Sequence, residues 1–331
     1  MVASAARNLT YFLILFVLLI LTVILSLSIG SVEIPVMDII SSVIKNTDSN
    51  ISKIILEIRL PRVLLALAVG GGLSVAGAVF QSILMNPLAE PYILGISSGG
   101  TFGAVLAMLL GLSFWGVQSL AFIGSVGVIA IVFFAGRRFG SIEPNTLLLT
   151  GVMVGAFFSA LILLMITFLN ESLRSAIFWL MGNLTNASTD NVYFVLVISI
   201  IISVFLSING QRFNVLSMGD ENASHLGINV KRFRNIIYII TSLLVGSLVA
   251  VSGIIGFVGL IIPHTCRLLF GTDNRIVIPA SFFIGASFLI VADIISRTLI
   301  APSEIPVGAI TALVGSPIFI YLIRKRFKEL R

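Results

Sequence analysis

Residues 91–136 run for 46 positions without one charged side chain. A helix crosses the hydrocarbon core of a bilayer in about 20 apolar residues, so this single run is long enough for two crossings and a turn. Further charge-free intervals cover 8–32, 63–89, 144–170, 191–211, 235–265, 276–292 and 305–323. The whole chain has 20 basic and 14 acidic residues among 331, and 58% of it is hydrophobic. A soluble domain carries roughly a quarter of its residues charged, so a water-soluble fold is excluded. A transmembrane β-barrel is excluded too, because its strands alternate polar and apolar residues instead of running apolar throughout.

Turn signals divide the runs into ten expected helices, near 9–29, 62–84, 93–110, 117–136, 146–169, 191–208, 234–251, 254–270, 276–298 and 307–323. The first is read as a retained helix and not a cleaved leader, since its apolar core is long and no small-residue cleavage site follows. The eighth is short, rich in glycine and contains Pro263, so a broken or partly spanning helix is expected there. Placing the N-terminus inside puts 14 basic residues on the cytoplasmic side and 6 outside, in accord with the positive-inside rule. Both termini are then cytoplasmic, and the net charge of +6 reflects topology, not nucleic-acid binding. Two connections exceed a turn. The outer one, 31–61, holds a surface helix near 36–44. The inner one, 209–233, has the composition of a partner-contacting element.

The spans themselves carry little chemistry. One cysteine, Cys266, and two histidines leave no disulfide and no credible metal set. Glycine recurs every fourth residue at Gly95, Gly99 and Gly103 and at Gly151 and Gly155, which suits close helix packing. Asp293 is the main ionisable residue within a span, and Arg297 follows at i+4, where the two can pair. There is no phosphate-binding loop of the Gly-x-x-x-x-Gly-Lys-Ser/Thr type, and almost no group for ion coupling near the midplane. Energy for uphill transport therefore has to arrive through a partner. Segments 70–87 and 246–263 share spacing and a closing proline, a weak sign of internal duplication.

A set of motifs in order along the chain adds a resemblance. They are Arg59-Leu60-Pro61-Arg62; Asn86-Pro87-Leu88-Ala89-Glu90-Pro91; Leu94-Gly95-Ile96-Ser97-Ser98-Gly99; Trp179-Leu180-Met181-Gly182; the run from Gly253 to Leu260 with Pro263-His264 and Arg267; and Pro302-Ser303-Glu304-Ile305-Pro306. With them the chain resembles permeases of the FecCD family, membrane subunits of ABC importers for vitamin B12 and ferric siderophores. The resemblance spans nearly the whole chain. It implies an all-α polytopic membrane fold of ten transmembrane helices, the BtuC-like type II ABC importer fold, as one permease domain over 1–331 with a coupling region at 209–233.

The resemblance also implies partners and roles. A homodimer is expected in the plasma (inner) membrane of a bacterium or archaeon, with two cytoplasmic ABC ATPase subunits and one extracytoplasmic substrate-binding protein. ATP and Mg belong to the ATPases, and no cofactor belongs to this chain. Leu216, Gly219, Asp220, Glu221, Ala223, His225, Leu226 and Gly227 match the loop that couples to each ATPase, where His225 replaces a residue that is often basic. Arg59, Arg62 and Arg297 match positions that meet acidic residues of the binding protein, although Arg297 is equally placed to pair with Asp293. The candidate path at the subunit interface takes Val79, Gln81, Ser159, Leu163 and Thr167. The cargo implied is a ferric siderophore or related iron chelate, with vitamin B12 or haem as alternatives. A proton-coupled carrier using Asp293 and a non-transporting receptor or scaffold are the readings from other classes.

Overall fold

A computed structural model of the chain describes residues 2–30, 32–45, 50–138, 141–169, 172–185 and 189–329. Ser31, where the longer outer connection begins, and Arg331 of the basic tail lie outside them. The helices in chain order are α1 (Val2–Ser28), α2 (Val36–Lys45), α3 (Asn50–Lys53), α4 (Leu60–Ile83), α5 (Ile96–Leu109), α6 (Phe114–Ala135), α7 (Pro144–Ile166), α8 (Leu173–Leu180), α9 (Thr189–Ile208), α10 (Gly210–Leu216), α11 (Asp220–His225), α12 (Val230–Ser252), α13 (Val258–Phe270), α14 (Asn274–Thr298) and α15 (Val307–Glu329). The only strands among the described residues are β1 (Arg137–Arg138) and β2 (Ser141–Ile142), an antiparallel pair between α6 and α7.

Each expected apolar run forms a helix. Seven are long and apolar enough to cross a membrane: Arg7–Ser28, Asn50–Ile83, Phe114–Ala135, Pro144–Ile166, Asn191–Ile208, Val230–Ser252 and Asn274–Thr298. Three are shorter, at Ile96–Leu109, Val258–Phe270 and Val307–Leu322. The fold is therefore all-α and polytopic, with about seven full-length apolar helices. The expected surface helix is present as α2, which exposes Met37 and buries Ile39.

The hub is α4, buried at 21 of its 24 residues and packed by α9, α12, α13 and α14. Its small residues make this possible. A Cβ on Gly70 would sit 2.7 Å from the Leu289 Cβ, and one on Gly77 would land in the Gly259 carbonyl, 2.7 Å from its Cα. Backbone meets backbone there, so van der Waals packing replaces the hydrophobic drive that lipid cannot supply. The Gly95/Gly99/Gly103 stripe works the same way, with Gly99 set against Gly124 of α6. By contrast α7 buries only Leu147, Gly151 and Ile162 of its 23 residues. That bare helix is built to face lipid or another subunit.

Four features depart from the sequence reading. First, α3 runs through a π-helical turn at Ile54–Arg59 into α4, so the helix begins at Asn50 inside the expected connection. Second, α8 fills a stretch expected to be irregular. Third, the eighth helix starts at Val258, later than 254, because residues 253–257 leave the helix at Gly253 (φ 68). Fourth, segments 70–87 and 246–263 are not conformational equivalents. The first continues α4 to Ile83, whereas the second breaks at Gly253 and packs its Gly259 against Gly77.

Candidate functional site

Two polar regions lie at opposite ends of α14, which at 25 residues spans roughly 37 Å at 1.5 Å per residue. One surrounds the three arginines. The other is the α10–α11 element.

Arg59, Arg62 and Arg297 are each less than 10% exposed, with Asp293 fully buried. The helix terminus nearby explains two of them. The last turn of α1 leaves carbonyls with no intrahelical partner and carries the negative end of the helix dipole. Arg59 donates to the carbonyls of Leu27 (2.6 Å), Ser28 (3.1 Å) and Val32 (2.5 Å). Arg297 donates to the carbonyl and hydroxyl of Ser26 at 2.6 and 2.5 Å. Arg62 is the bridge between carboxylates, at 2.9 Å from Asp293 and 3.0 Å from Glu304. Arg297 lies 3.6 Å from Asp293, one helical turn away.

Of the two roles open to Arg297, the pairing with Asp293 is formed, although Arg62 is the nearer partner. The docking expectation for the three arginines meets a physical obstacle, because their charges point inward and are already bound. What this end presents outward is Glu304, about one-third exposed, which accepts from the Thr185 hydroxyl at 2.9 Å. Burial pushes its carboxyl up, but the Arg62 guanidinium outweighs that and holds it below the usual carboxylate range.

At the other end, Gly219 (φ 101) turns the chain between α10 and α11, and Gly227 (φ 83) ends α11. The coupling residues divide between two faces. Leu216 and Ala223 are fully buried and fix the element to the bundle. Glu221 and His225 are exposed, and Met218 and Leu226 are 62% and 63% exposed. Asp220 is not free for a partner. It accepts from both terminal nitrogens of the buried Arg234 on α12, at 2.7 and 2.8 Å. Nearby, Asp273 caps α14, and hydrogen bonds from Arg275, the largest cause, lower its carboxyl to about 2.

The candidate path residues are not brought together within one chain. Val79 and Gln81 are buried in α4, where Gln81 accepts from Arg267 and lies 3.4 Å from the Gly259 and Leu260 carbonyls. Enclosure of α4 by its neighbours keeps both away from any open surface of this chain. Ser159, Leu163 and Thr167 are exposed on α7, aligned at i, i+4 and i+8 along its bare side.

Sequence reasoning gave Glu90 no role, yet it holds two helix breaks together. The Phe257 N–H donates to its carboxylate at 2.7 Å, and the Ile255 N–H donates to the Tyr92 hydroxyl at 3.1 Å. Non-helical backbone between membrane helices needs internal partners of this kind. The available signal was an acid between two prolines, Pro87 and Pro91, inside an otherwise apolar stretch. Among the described residues no group of three or more His, Cys, Asp or Glu side chains converges to hold a metal ion.

Comparison with known proteins agrees with this architecture. The FecCD transport family model matches residues 18–325. The uncharacterized ABC transporter permease protein YvrB of Bacillus subtilis (strain 168) is 41% identical, over 96% of this chain and 95% of its own. The iron(3+)-hydroxamate import system permease protein FhuG of the same organism is 35% identical, over 94% and 95%. A solved structure described as an inward-facing conformation of a metal-chelate type ABC transporter superposes with a TM-score of 0.85 at 33% identity, covering 96% of this chain and 99% of that one.

Proposed function

The chain belongs to the FecCD transport family, and on that premise we propose that it forms the membrane path of an importer for a ferric siderophore or a related iron chelate. It is a permease subunit and not an enzyme. The observation that carries the reading is the family match, which covers residues 18–325. The likeness to an iron(3+)-hydroxamate permease and to a metal-chelate transporter supports the cargo class.

In this reading ten helices cross the membrane, the three shorter ones included, and both termini are cytoplasmic. Two copies face each other across α7, whose bare side carries Ser159, Leu163 and Thr167. The α10–α11 element enters a cleft on each of two ATPases, which hold the ATP and Mg. The end bearing Glu304 receives a substrate-binding protein. Arg59, Arg62 and Arg297 then serve that rim from beneath, by fixing α1, α4 and α14 in place and by setting the position of Glu304.

The exposed pair Met218 and Leu226 favours a protein partner at α10–α11, because large apolar side chains on a charged, water-facing element are costly unless covered. Buried apolar anchors contribute 2 kcal/mol or more at hot spots, and about 1.4 kcal/mol is tenfold in affinity. Met218→Asp combined with Leu226→Asp is therefore expected to weaken ATPase binding by at least ~10-fold, while the exposed positions leave the fold intact. Quantitative pull-down of the purified ATPase in detergent measures this. Unchanged capture would contradict the assigned docking face.

A further inference from the structure

The Asp220–Arg234 contact has a counterpart at the far end of the same helix. Its side-chain exposures are 4% for Arg234 and 49% for Asp220, and both nitrogens of the guanidinium fork are engaged. A bidentate pair of this sort fixes orientation as well as distance. It ties the first residue of α11 to the first turns of α12. A cavity of about 710 Å³ lies on the other side, lined by Glu143 and Pro144 at the start of α7 and by Ser224 and Asn229. So α11 is clamped to α12 and separated by open space from α7.

At its other end α12 carries a second joint. The Ser252 carbonyl accepts from the Asn183 N–H at 2.8 Å. Gly253 approaches the α8 backbone so closely that a Cβ there would sit 3.2 Å from the Trp179 carbonyl carbon. Two residues beyond Asn183, Thr185 reaches Glu304 and through it Arg62. With 23 residues, α12 spans about 34 Å between these joints. It also holds buried polar atoms without a hydrogen-bond partner, among them Arg234 Nε, Asn235 Oδ1 and Thr241 Oγ1. Buried polar atoms left unmatched are costly, which suits a helix that has a second arrangement available.

We propose that α12 is a strut that carries displacement of α11 to α8 and to the Glu304–Arg62 rim, with the Asp220–Arg234 pair as its inner joint. Asp220 and Arg234 are positioning residues in this scheme. It rests on the reading that α10–α11 receives the ATPases. Force entering at α11 passes along α12 because the ion pair is closed, and bypasses α7 because the cavity is open. Coupling between distant sites then needs no chain of side chains, only one rigid element with two defined joints.

The test uses the complete transporter in nanodiscs, with a nitroxide attached at Ser175→Cys on the exposed side of α8. The native Cys266 is buried and is spared by the reagent. The readout is the ATP-dependent spectral change at α8, normalised to ATP hydrolysed. Asp220→Asn should reduce it by at least ~5-fold, the lower range of measured coupling factors, and Asp220→Glu should restore most of it. Because Asp220→Asn leaves a buried guanidinium without its carboxylate, Asp220→Asn with Arg234→Gln serves as the variant that keeps the core neutral. The same loss is expected for it. A full response in both variants would overturn the strut while leaving the transporter assignment standing. A wild-type complex whose ATPases are never engaged by this chain would overturn both.

Discussion

Replacing Asp293 by alanine is expected to destabilise the folded chain by ~3–5 kcal/mol, the cost of leaving buried charge unpaired. Asp293 is fully buried and stands between Arg62 at 2.9 Å and Arg297 at 3.6 Å. Its loss leaves three arginines sharing one partly exposed carboxylate, Glu304. The Ser26, Leu27 and Ser28 carbonyls satisfy hydrogen bonds of Arg59 and Arg297, but they do not neutralise charge. Thermal unfolding in detergent should show a large drop for Asp293→Ala. Adding Arg297→Met to that variant should recover part of the loss, because one surplus cation is removed while Arg62 keeps Glu304. An Asp293→Ala protein as stable as the parent would show that the cluster does not anchor α1, α4 and α14.

The second large effect is steric. Gly77→Val places three carbons where α4 touches α13, against the Gly259 backbone. No flexible side chain is there to yield, so the two helices have to separate. Overpacking costs typically ~1–3 kcal/mol, and this site lies at the top of that range because α4 also packs on α9, α12 and α14. The variant should fail to accumulate as a monodisperse protein in detergent. Gly127→Ala is the matched control, since a Cβ there meets nothing within 4 Å, and its stability should change by no more than about 0.5 kcal/mol. Equal behaviour of the two variants would contradict the close approach of α4 and α13.

These sites also mark where the sequence was readable. The apolar runs located every long helix because burial in lipid needs continuous apolar length, and glycine spacing identified the stripe at Gly95, Gly99 and Gly103 as a packing face. Charge placement brought Arg59, Arg62 and Arg297 to one end of the bundle. Their purpose was not legible, because their acceptors are remote in sequence: Asp293 is 231 residues from Arg62, and the α1 carbonyls are 31 or 32 residues from Arg59. The same limit hid the Asp220–Arg234 joint, which turns an apparently free acid of the coupling segment into an internal contact. α8 was missed for another reason. At eight residues it is too short to produce a hydropathy run, and Arg174 interrupts its apolar face. Residues 253–257 were read as a simple turn signal, whereas Glu90 and Tyr92 stabilise them as a designed break between α12 and α13.

The partner-driven account of this permease differs from every single-chain alternative in where the energy enters. The most direct measurement is uptake of radiolabelled ferric hydroxamate by proteoliposomes containing the chain with its partner ATPases and binding protein. The account predicts accumulation that requires ATP hydrolysis and all three components, with haem and vitamin B12 competing poorly. Accumulation in liposomes holding this chain alone, driven by a proton gradient and abolished by Asp293→Asn, would contradict it.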